Sequence, residues 1–332
     1  MMKITFKDVG QGDSIIIEWI DKNDNKKVGI IDCNLRGKDN PVVNYLKENG
    51  YTEIAFLILS HPHIDHYSGM LELLEYIDNN NLIVNRIATT IMLRDLKDYW
   101  KYFEITPSES DLLVAIQIKW SDMIKNGKIK RQETLIDGKT MKIDDEVTIV
   151  SVAPSMEDIK DYQKKVDLDA LVNIKEASRA ANLLSTLLKV SYQDYNYLLT
   201  SDTEKVSFIR AYENETHHFK DVNFHVCQLA HHGSNKNHAP EFWSNIGNFK
   251  TQNAVASAGS GYRHPSLIVL KAFYDSGYEV YCTNIVGGMQ EFAEMILSKQ
   301  KALDSFSKPA PEYTNANDRS FIIKDGKVVL EK

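Results

Sequence analysis

Residues 60–66 have the sequence Ser-His-Pro-His-Ile-Asp-His and follow a run of apolar residues directly. The apolar run, Ile54–Ser60, predicts a buried strand, because strands covered on both faces are continuously hydrophobic. The pattern over Tyr67–Tyr76 predicts that a helix comes after the motif. The histidines and the aspartate therefore occupy a strand-to-helix turn, which is where α/β sheets carry their ligand sites.

The spacing within this motif suits two metal ions. His61 and His63 are two residues apart, so in an extended segment both imidazoles project from the same side and can bind one ion. Asp65 and His66 come after the chain has turned toward the helix and can reach a second ion. Imidazole and carboxylate groups are ligands of Zn²⁺ and also of Fe or Mn. The position of the motif disfavours the alternative, a surface cluster of histidines or helix caps.

Polar residues also follow two further apolar strands. Asp202 ends one of them, and His231 and His232 follow Val222–Leu229 after a single alanine. An aspartate at a strand end can bridge two metals, but Asp202 also precedes Thr-Glu and could cap a helix. His264 stands in an Arg-His-Pro sequence at a loop entering a helix, where it could serve the site or pack beneath the helix start.

Strand and helix patterns alternate along both halves of the chain. Residues 3–34 predict a β-meander and residues 183–201 predict a second hairpin, and β/α units follow each of them. This order predicts an α/β fold with two mixed sheets packed face to face and helices outside. Because no linker clearly divides the sequence, we expect a single domain over residues 1–332.

The composition is that of an ordinary folded protein. The 332 residues include 39 Lys and Arg against 46 Asp and Glu, a formal net charge of −7, and 43% are hydrophobic. No apolar run approaches the ~20 residues of a membrane helix, and the first residues lack a signal-peptide pattern. The three cysteines contain no C-x-x-C pair and cannot form a disulfide framework, so a cytoplasmic location is expected.

Charge bears on the class of substrate. The acidic balance argues against a protein that holds duplex nucleic acid by charge alone. It leaves open an enzyme that cuts phosphodiesters, because bound metals supply positive charge locally. One stretch, Lys119–Arg131, carries five basic residues and Trp120. It could track a phosphate backbone and stack a base, although a solvated helix end followed by a hairpin is the favoured interpretation.

Taken together, the motifs resemble those of the metallo-β-lactamase superfamily, and within it the hydrolase domain of competence DNA-uptake channel proteins (ComEC-type) and its stand-alone relatives. The resemblance covers about residues 3–285, but residues 94–180 match nothing in that family and are predicted to form a mostly helical insertion. The segments that carry it occur in the family's order: Asp8–Ser14, Ile30–Asp32, Ser60–His66, Leu198–Asp202, Ala230–Ser234 and Arg263–Pro265.

The resemblance implies an αβ/βα four-layer sandwich with two divalent metal ions, Zn or Mn, at one sheet edge. Asp32 resembles the carboxylate that orients a ligand histidine. Either His231 or His232 fits the last ligand position, and His232 is favoured, with His231 facing the substrate. The resemblance implies that His61 and His63 bind the first ion. It implies that Asp65, His66 and His232 bind the second ion and that Asp202 bridges the two.

The same resemblance implies the catalytic roles. A hydroxide held between the two ions would attack phosphorus or a carbonyl carbon. Asp65 would hold this nucleophile, and His231 or His264 would supply a proton or a counter-charge to the leaving oxygen.

The sequence departs from the family pattern at one position. Many superfamily members place a further histidine on the first metal, but here no histidine occurs between His66 and His217. The stretch Asn182–Ser185 occupies that place. The first ion would therefore have fewer protein ligands, and it would bind weakly or be an oxygen-preferring ion such as Mn²⁺.

Three functions remain open at this point. The favoured one is a metal-dependent phosphodiesterase or nuclease, for which a nucleic acid is a possible substrate. A hydrolase of the same fold that acts on an ester, thioester or lactone is the second. The missing histidine motivates the third, a non-catalytic or partner-activated module that keeps part of the site, its protein partner unknown. Fold alone does not decide among them.

Overall fold

A computed structural model describes residues 1–92, 96, 99–166, 174–246, 252–260, 263–303 and 308–331 of the chain. The strands form two mixed sheets, each with an antiparallel part and a parallel part. Among the described residues, no helix has the length and apolar character needed to cross a membrane.

Nine strands within the described residues form the first sheet. Their bounds are β1 Met2–Phe6, β2 Ile15–Ile20, β3 Lys26–Ile31, β4 Glu53–Ile54, β5 Phe56–Leu59, β6 Ile83–Thr89, β7 Ile129–Thr134, β15 Arg319–Lys324 and β16 Lys327–Leu330. They lie in the order β16-β15-β1-β2-β3-β5-β6-β4, and β7 pairs with β6. The predicted meander β1–β2–β3 is antiparallel, whereas β3, β5 and β6 are parallel.

Seven strands of the described chain form the second sheet. Their bounds are β8 Lys139–Lys142, β9 Val147–Ala153, β10 Leu187–Tyr192, β11 Tyr195–Leu199, β12 Phe224–Gln228, β13 Asn253–Ala256 and β14 Glu279–Cys282. They lie in the order β14-β13-β12-β11-β10-β9-β8; β8 to β11 pair antiparallel, and β11 to β14 pair parallel.

The helical segments of the described chain are α1 Pro41–Asn49, α2 Ile64–Tyr67, α3 Met70–Asn79, α4 Pro107–Lys125, α5 Met156–Lys165, α6 Ile174–Ala180, α7 Lys205–Asn214, α8 Ala230–Gly233, α9 Pro240–Asn245, α10 Leu267–Asp275 and α11 Gly288–Leu303. Of these, α8 is a single turn with left-handed residues. Side chains cap the first turns of α1, α4 and α5, and α4 starts with a capping box in which Thr106 and Glu109 satisfy each other's backbone N–H groups. Single 3₁₀ turns among the described residues cover Trp100–Tyr102, Ala181–Leu184, Thr216–His218 and Pro311–Tyr313.

Three clusters of buried apolar side chains separate four layers. The central cluster joins the facing surfaces of the two sheets and contains Phe56 from the first and Leu199 from the second. A second cluster packs helices, including Trp120 of α4, on the outer face of the first sheet. The third packs Phe208 and Phe273 on the outer face of the second sheet. This order of layers confirms the predicted αβ/βα sandwich of two mixed sheets with helices outside.

The stretch from residue 94 to 180 contributes strands as well as helices. It contains α4, α5 and α6, but β7 extends the first sheet and β8 and β9 extend the second. Trp120 is 1% exposed and lies in the core, so it cannot stack a base. The Nζ atom of Lys119 lies 2.6 Å from Asp78. The interpretation of this stretch as a base-stacking surface is therefore wrong, because the ring of Trp120 is part of the hydrophobic core.

The parallel strands of both sheets direct their carboxyl ends to one edge. Asp32 follows β3, and the histidine motif follows β5, in the first sheet. Asp202 follows β11, and His231 and His232 follow β12, in the second sheet. Polar residues that are far apart in the sequence are brought together at this edge, as in other open α/β sheets.

Candidate metal centre

The loop after β1 packs tightly against the histidine motif. Gly12 has φ +118°, and a Cβ atom there would lie 2.2 Å from the carbonyl oxygen of Asp65. Only glycine tolerates both this backbone conformation and this approach. The backbone N–H of Asp13 then donates to the same carbonyl at 3.0 Å. The Gly-Gln-Gly-Asp segment thus fixes the position of α2, which carries Asp65.

His66 is buried and is held by one carboxylate. Its Nδ1 lies 2.7 Å from Oδ2 of Asp32, and this oxygen also accepts a hydrogen bond from the hydroxyl of Ser60, whereas Oδ1 accepts from the backbone N–H of Ser60. The Nδ1 atom therefore donates its hydrogen to Asp32, and Nε2 points away from Asp32 toward Asp202. Burial would lower the pKa of His66, but the carboxylates of Asp32 and Asp202 outweigh burial and raise it. Asp32 has the orienting position that the resemblance implied.

Asp202 lies among three imidazoles. Its Oδ1 is 3.5 Å from Nε2 of His66 and 3.6 Å from Nε2 of His232, and its Oδ2 is 3.6 Å from Nε2 of His231. Burial alone would raise the pKa of Asp202, but these rings hold it well below the usual range. Asp202 does not cap α7, because Glu204 occupies the N-cap position.

A strained turn presents His231 and His232. Both residues have positive φ, 49° and 56°, and Gly233 follows with φ 83°. Non-glycine residues rarely occupy this region, and such backbone is found where surrounding structure imposes it. The backbone N–H of His231 donates to the carbonyl of Ser201 at 2.9 Å, which ties the turn to the strand end before Asp202.

The turn places the rings of His231 and His232 in different surroundings. His232 is buried, and its Nε2 lies 3.4 Å from Oδ2 of Asp65. Burial would lower the pKa of His232, but Asp202 and Asp65 raise it to about 9. The contact with His232 and the charge of His66 hold the pKa of Asp65 below its usual range despite burial. The side chain of His231 is 29% exposed and lines the cleft, whereas that of His232 is 1% exposed and faces Asp65 and Asp202.

His61 and His63 face each other. The Nε2 atom of His61 lies 2.7 Å from Nδ1 of His63, and Nε2 of His63 lies 2.8 Å from the carbonyl oxygen of Ser178. Burial lowers the pKa of both histidines, so both rings are neutral near pH 7. Because the Ser178 carbonyl accepts from Nε2 of His63, Nε2 of His61 donates to Nδ1 of His63, and a cation between the two nitrogens would replace this hydrogen.

A cleft of about 900 Å³ opens onto these side chains. His264 lies in its wall, with its ring centroid 5.6 Å from that of His231. Burial and the neighbouring rings of His231 and His232 lower the pKa of His264 to about 4, so this ring is neutral at pH 7. The charged residues of the wall that lie outside the metal ligands are Arg179, Lys236, Arg263, Glu104, Glu109 and Glu204.

The donor atoms fit divalent cations. In the described part of the chain, Nε2 of His66, Nε2 of His232 and Oδ1 of Asp202 are buried without a hydrogen-bond partner. Buried polar atoms are nearly always paired, so three such atoms around one point fit a divalent cation, which would replace the protons that the carboxylates favour on the two rings. Ligand atoms of two overlapping groups also lie within 4.8 Å of one another: His61, His66 and Asp202, and Asp65, His66 and His232.

All of the predicted site residues therefore lie at one sheet edge. Two further residues of the site, Gln228 and Asn182, belong to no sequence motif. Gln228 accepts hydrogen bonds from the backbone N–H groups of Thr200 and Ser201, and Asn182 lies 3.2 Å from His61. The one local signal for Gln228 is a polar residue that ends strand β12 directly after Val226 and Cys227. The signal for Asn182 is that it stands where the family pattern places a histidine.

A family model described as the metallo-beta-lactamase superfamily matches residues 8–151. This match supports membership of that superfamily, which the motifs predicted, and it includes the first part of the stretch from 94 to 180. The narrower resemblance to the uptake-protein hydrolases stays a prediction. A search of curated proteins found no match to this chain.

Solved structures offer further likenesses. The metallo-beta-lactamase fold protein YhfI from Bacillus subtilis is 12% identical, with a TM-score of 0.46 over 85% of this chain and 95% of that one. A diphosphatase of the PhnP family is 9% identical, with a TM-score of 0.38 over 77% of this chain and 85% of its own. Zn²⁺-bound PqqB from Methylobacterium extorquens is 10% identical, with a TM-score of 0.39 over 89% and 85%. Such low identities and TM-scores assign no activity to this chain.

Proposed function

We propose, from the superfamily match and the geometry of the metal centre, that this chain is a metal-dependent hydrolase that cleaves phosphodiesters. The observation that carries the proposal is the convergence of unpaired, buried Nε2 atoms of His66 and His232 on the unpaired Oδ1 of Asp202. In this proposal His61 and His63 hold one ion, Asp65, His66 and His232 hold a second, and Asp202 bridges them. Zn²⁺ and Mn²⁺ are the ions that such donors suit.

Two bound cations would supply an activated water and stabilise negative charge on the substrate. The protein's own part is to hold the ligands rigidly. Asp32 keeps the proton of His66 on Nδ1, so that Nε2 stays a ligand atom. Asp65, whose side chain is 29% exposed at the cleft, can also orient the attacking water.

The leaving oxygen needs its developing negative charge stabilised. His264 is neutral at pH 7 because its pKa is lowered to about 4, so its N–H can donate a hydrogen bond to this oxygen but does not transfer a proton. His231 lies beside it, with its Nε2 3.6 Å from Asp202. We assign hydrogen-bond stabilisation of the leaving oxygen to this pair of rings, and the oxygen would take up the proton that the activated water releases.

Three cations in the cleft wall could bind an anionic substrate; three glutamates lie in the same wall, and burial raises the pKa of one of them, Glu104, to about 8. Arg179, Lys236 and Arg263 line the same cavity as the metal ligands, and a phosphodiester carries the negative charge that they would neutralise. An ester or lactone lacks this charge. We also propose that the chain forms one domain, because both sheets contribute ligands to the same centre.

Hydrolysis of bis-(p-nitrophenyl) phosphate and of single-stranded DNA tests the proposal. Chelator-treated protein is assayed before and after addition of Mn²⁺ or Zn²⁺, together with Asp65→Ala and His232→Ala. We expect metal-dependent turnover in the wild type and a loss on the order of 100-fold or more in both variants. His217→Ala, at an exposed histidine, is the matched control and should retain full activity.

The other outcomes lead to other functions. Turnover of p-nitrophenyl acetate or a lactone, without phosphodiester cleavage, would indicate an acyl hydrolase of the same fold. Absence of both activities in metal-loaded protein would overturn the proposal and favour a partner-activated module. Unchanged activity in Asp65→Ala and His232→Ala would show that the chemistry occurs elsewhere.

A further inference from the structure

We propose that Asn182 is a ligand of the first ion through its amide oxygen, and that it biases this position toward oxygen-preferring cations such as Mn²⁺ over Zn²⁺. The inference rests on the proposed metal centre and adds a ligand that no sequence motif assigns.

Three atoms that can bind a cation converge at this position, provided that the hydrogen of His61 moves from Nε2, which donates to His63, to Nδ1, which has no hydrogen-bond partner in the described part of the chain. The Oδ1 atom of Asn182 lies 3.2 Å from Nε2 of His61, which lies 2.7 Å from Nδ1 of His63. All three side chains come from elements at the sheet edge, His61 and His63 after β5 and Asn182 from the 3₁₀ turn Ala181–Leu184. Asn182 is 6% exposed, so bulk water does not compete freely for its oxygen.

The orientation of the amide follows from its other contacts. Its Nδ2 lies 3.5 Å from Oε1 of Glu204 and 3.2 Å from Nδ1 of His231. A carboxylate only accepts hydrogen bonds, so the NH₂ group must face Glu204 and the oxygen must face His61. The side chain is therefore held with its acceptor turned toward the two histidines.

The same segment also fixes the tautomer of His63. The carbonyl oxygen of Ser178 accepts a hydrogen bond from Nε2 of His63 at 2.8 Å, and this leaves the lone pair of Nδ1 facing His61. The residues from Ser178 to Asn182 thus contribute both a ligand atom and the group that orients a neighbouring ligand. Such outer contacts typically change metal affinity 10–100-fold when they are lost.

The donor set determines the preferred cation. Two imidazoles and a carboxamide oxygen, with the shared carboxylate of Asp202, form a harder ligand set than three imidazoles and a carboxylate. Imidazole suits Zn²⁺, whereas carbonyl and carboxylate oxygens suit Mn²⁺ and Mg²⁺. The first position should therefore discriminate less against Mn²⁺ than a site with three histidines, and a histidine at position 182 should restore the preference for Zn²⁺.

Equilibrium metal binding tests this inference without relying on activity. The full chain, Asn182→Ala and Asn182→His are stripped with chelator and dialysed against graded Mn²⁺ or Zn²⁺. Bound ions are counted by elemental analysis, and electron paramagnetic resonance reports whether two Mn²⁺ ions are magnetically coupled. Ser185→Ala, in the same segment, is the control. Circular dichroism confirms that each variant is folded.

We expect Asn182→Ala to bind the first Mn²⁺ at least about tenfold more weakly, with loss of the coupled signal and retention of one ion. Asn182→His should raise the ratio of Zn²⁺ to Mn²⁺ affinity at the first position at least about tenfold. Two ions bound with unchanged constants in Asn182→Ala would overturn the inference and leave the proposed function standing. If Asn182→Ala does not fold, an unchanged affinity ratio in Asn182→His overturns it instead. A wild-type chain that binds no ion would refute the metal centre itself.

Discussion

Gln228 donates a hydrogen bond from Nε2 to Oδ2 of Asp13 at 2.7 Å, and this contact joins the two sheets beneath the metal centre. The Oε1 atom of the same amide accepts from the backbone N–H groups of Thr200 and Ser201, at 2.9 and 3.0 Å. One buried side chain therefore ties the loop after β1 to the turn that carries Asp202.

Replacing Gln228 with leucine should destabilise the fold and loosen the centre. The change leaves the Asp13 carboxylate and two backbone N–H groups buried without their partner, and each such group costs about 1–3 kcal/mol. We expect a decrease in the free energy of unfolding of at least about 2 kcal/mol, measured by urea denaturation with chelator present. Gln193→Leu, at an exposed turn, is the control. Equal unfolding curves for Gln228→Leu and the wild type would refute this role.

Asp32→Asn should weaken metal binding while the fold is retained. The amide NH₂ would face Nδ1 of His66, which favours the tautomer with hydrogen on Nε2 and removes the lone pair directed at Asp202. Loss of such an orienting carboxylate typically lowers metal affinity 10–100-fold. Isothermal titration with Mn²⁺ and Zn²⁺ measures the change, with Asp194→Asn in an exposed turn as control. Wild-type affinity in Asp32→Asn would show that the carboxylate does not orient the ligand.

The histidine motif and the buried strand before it were predictable because both are local. A continuous apolar run before His61 identifies a buried strand, and its carboxyl end places the motif at the sheet edge. The predicted helix Tyr67–Tyr76 was placed less well, since the chain forms α2 and then begins α3 at Met70. The break lies at Gly69, where a Cβ atom would be 2.9 Å from Nδ2 of Asn40 and 3.1 Å from the carbonyl of Cys33.

The supporting residues of the site could not be predicted in the same way. Asn182 reaches His61 across 121 residues and Gln228 reaches Asp13 across 215, so neither contact leaves a local pattern. At Trp120 a local pattern misleads. The basic residues beside it in the sequence suggest an exposed position, but packing of the helix buries its ring. Tertiary contacts decide these positions, and only the assembled sheets show them.

Charge reversal in the cleft should affect binding of an anionic substrate. We expect Lys236→Glu and Arg263→Glu each to raise KM for bis-(p-nitrophenyl) phosphate about tenfold, because an attractive charge becomes a repulsive one beside the substrate. The variants should also weaken the dependence of kcat/KM on salt concentration. Lys130→Glu, exposed on β7, is the matched control. Equal KM values in all four proteins would exclude these side chains from phosphate recognition.

Trp120→Ala should reduce stability and leave substrate binding intact. The indole is 1% exposed and packs in the outer core of the first sheet, and truncation of a buried aromatic costs about 3–5 kcal/mol. Thermal unfolding measures the loss, with Trp120→Phe expected to retain most of the stability. Equal unfolding temperatures for Trp120→Ala and the wild type would contradict this role of the indole in the core.

Glu104 should make the stability of the metal-free protein fall as the pH rises. Its carboxyl is 5% exposed in the wall of the cleft, where it accepts a hydrogen bond from the Tyr67 hydroxyl at 2.9 Å. Burial raises the pKa of Glu104 from 4.5 to about 8; the Tyr67 hydroxyl opposes this, and the carboxylates of Glu109 and Asp65 add to it. The folded state therefore holds a proton that the unfolded state has released, over the window from about pH 4.5 to about pH 8.

Folding is favoured below this window, and the advantage is lost as the pH approaches 8, because the free energy of unfolding decreases where the folded state binds more protons. Glu104→Gln removes the titration, so its stability relative to wild type should increase by roughly 1–3 kcal/mol between pH 5 and pH 8. Urea unfolding in chelator at both pH values measures this difference. Glu75→Gln, exposed on α3, should show a constant difference from wild type. If the difference for Glu104→Gln is constant as well, Glu104 is ionised in the folded protein throughout this range and its carboxylate faces water or a cation.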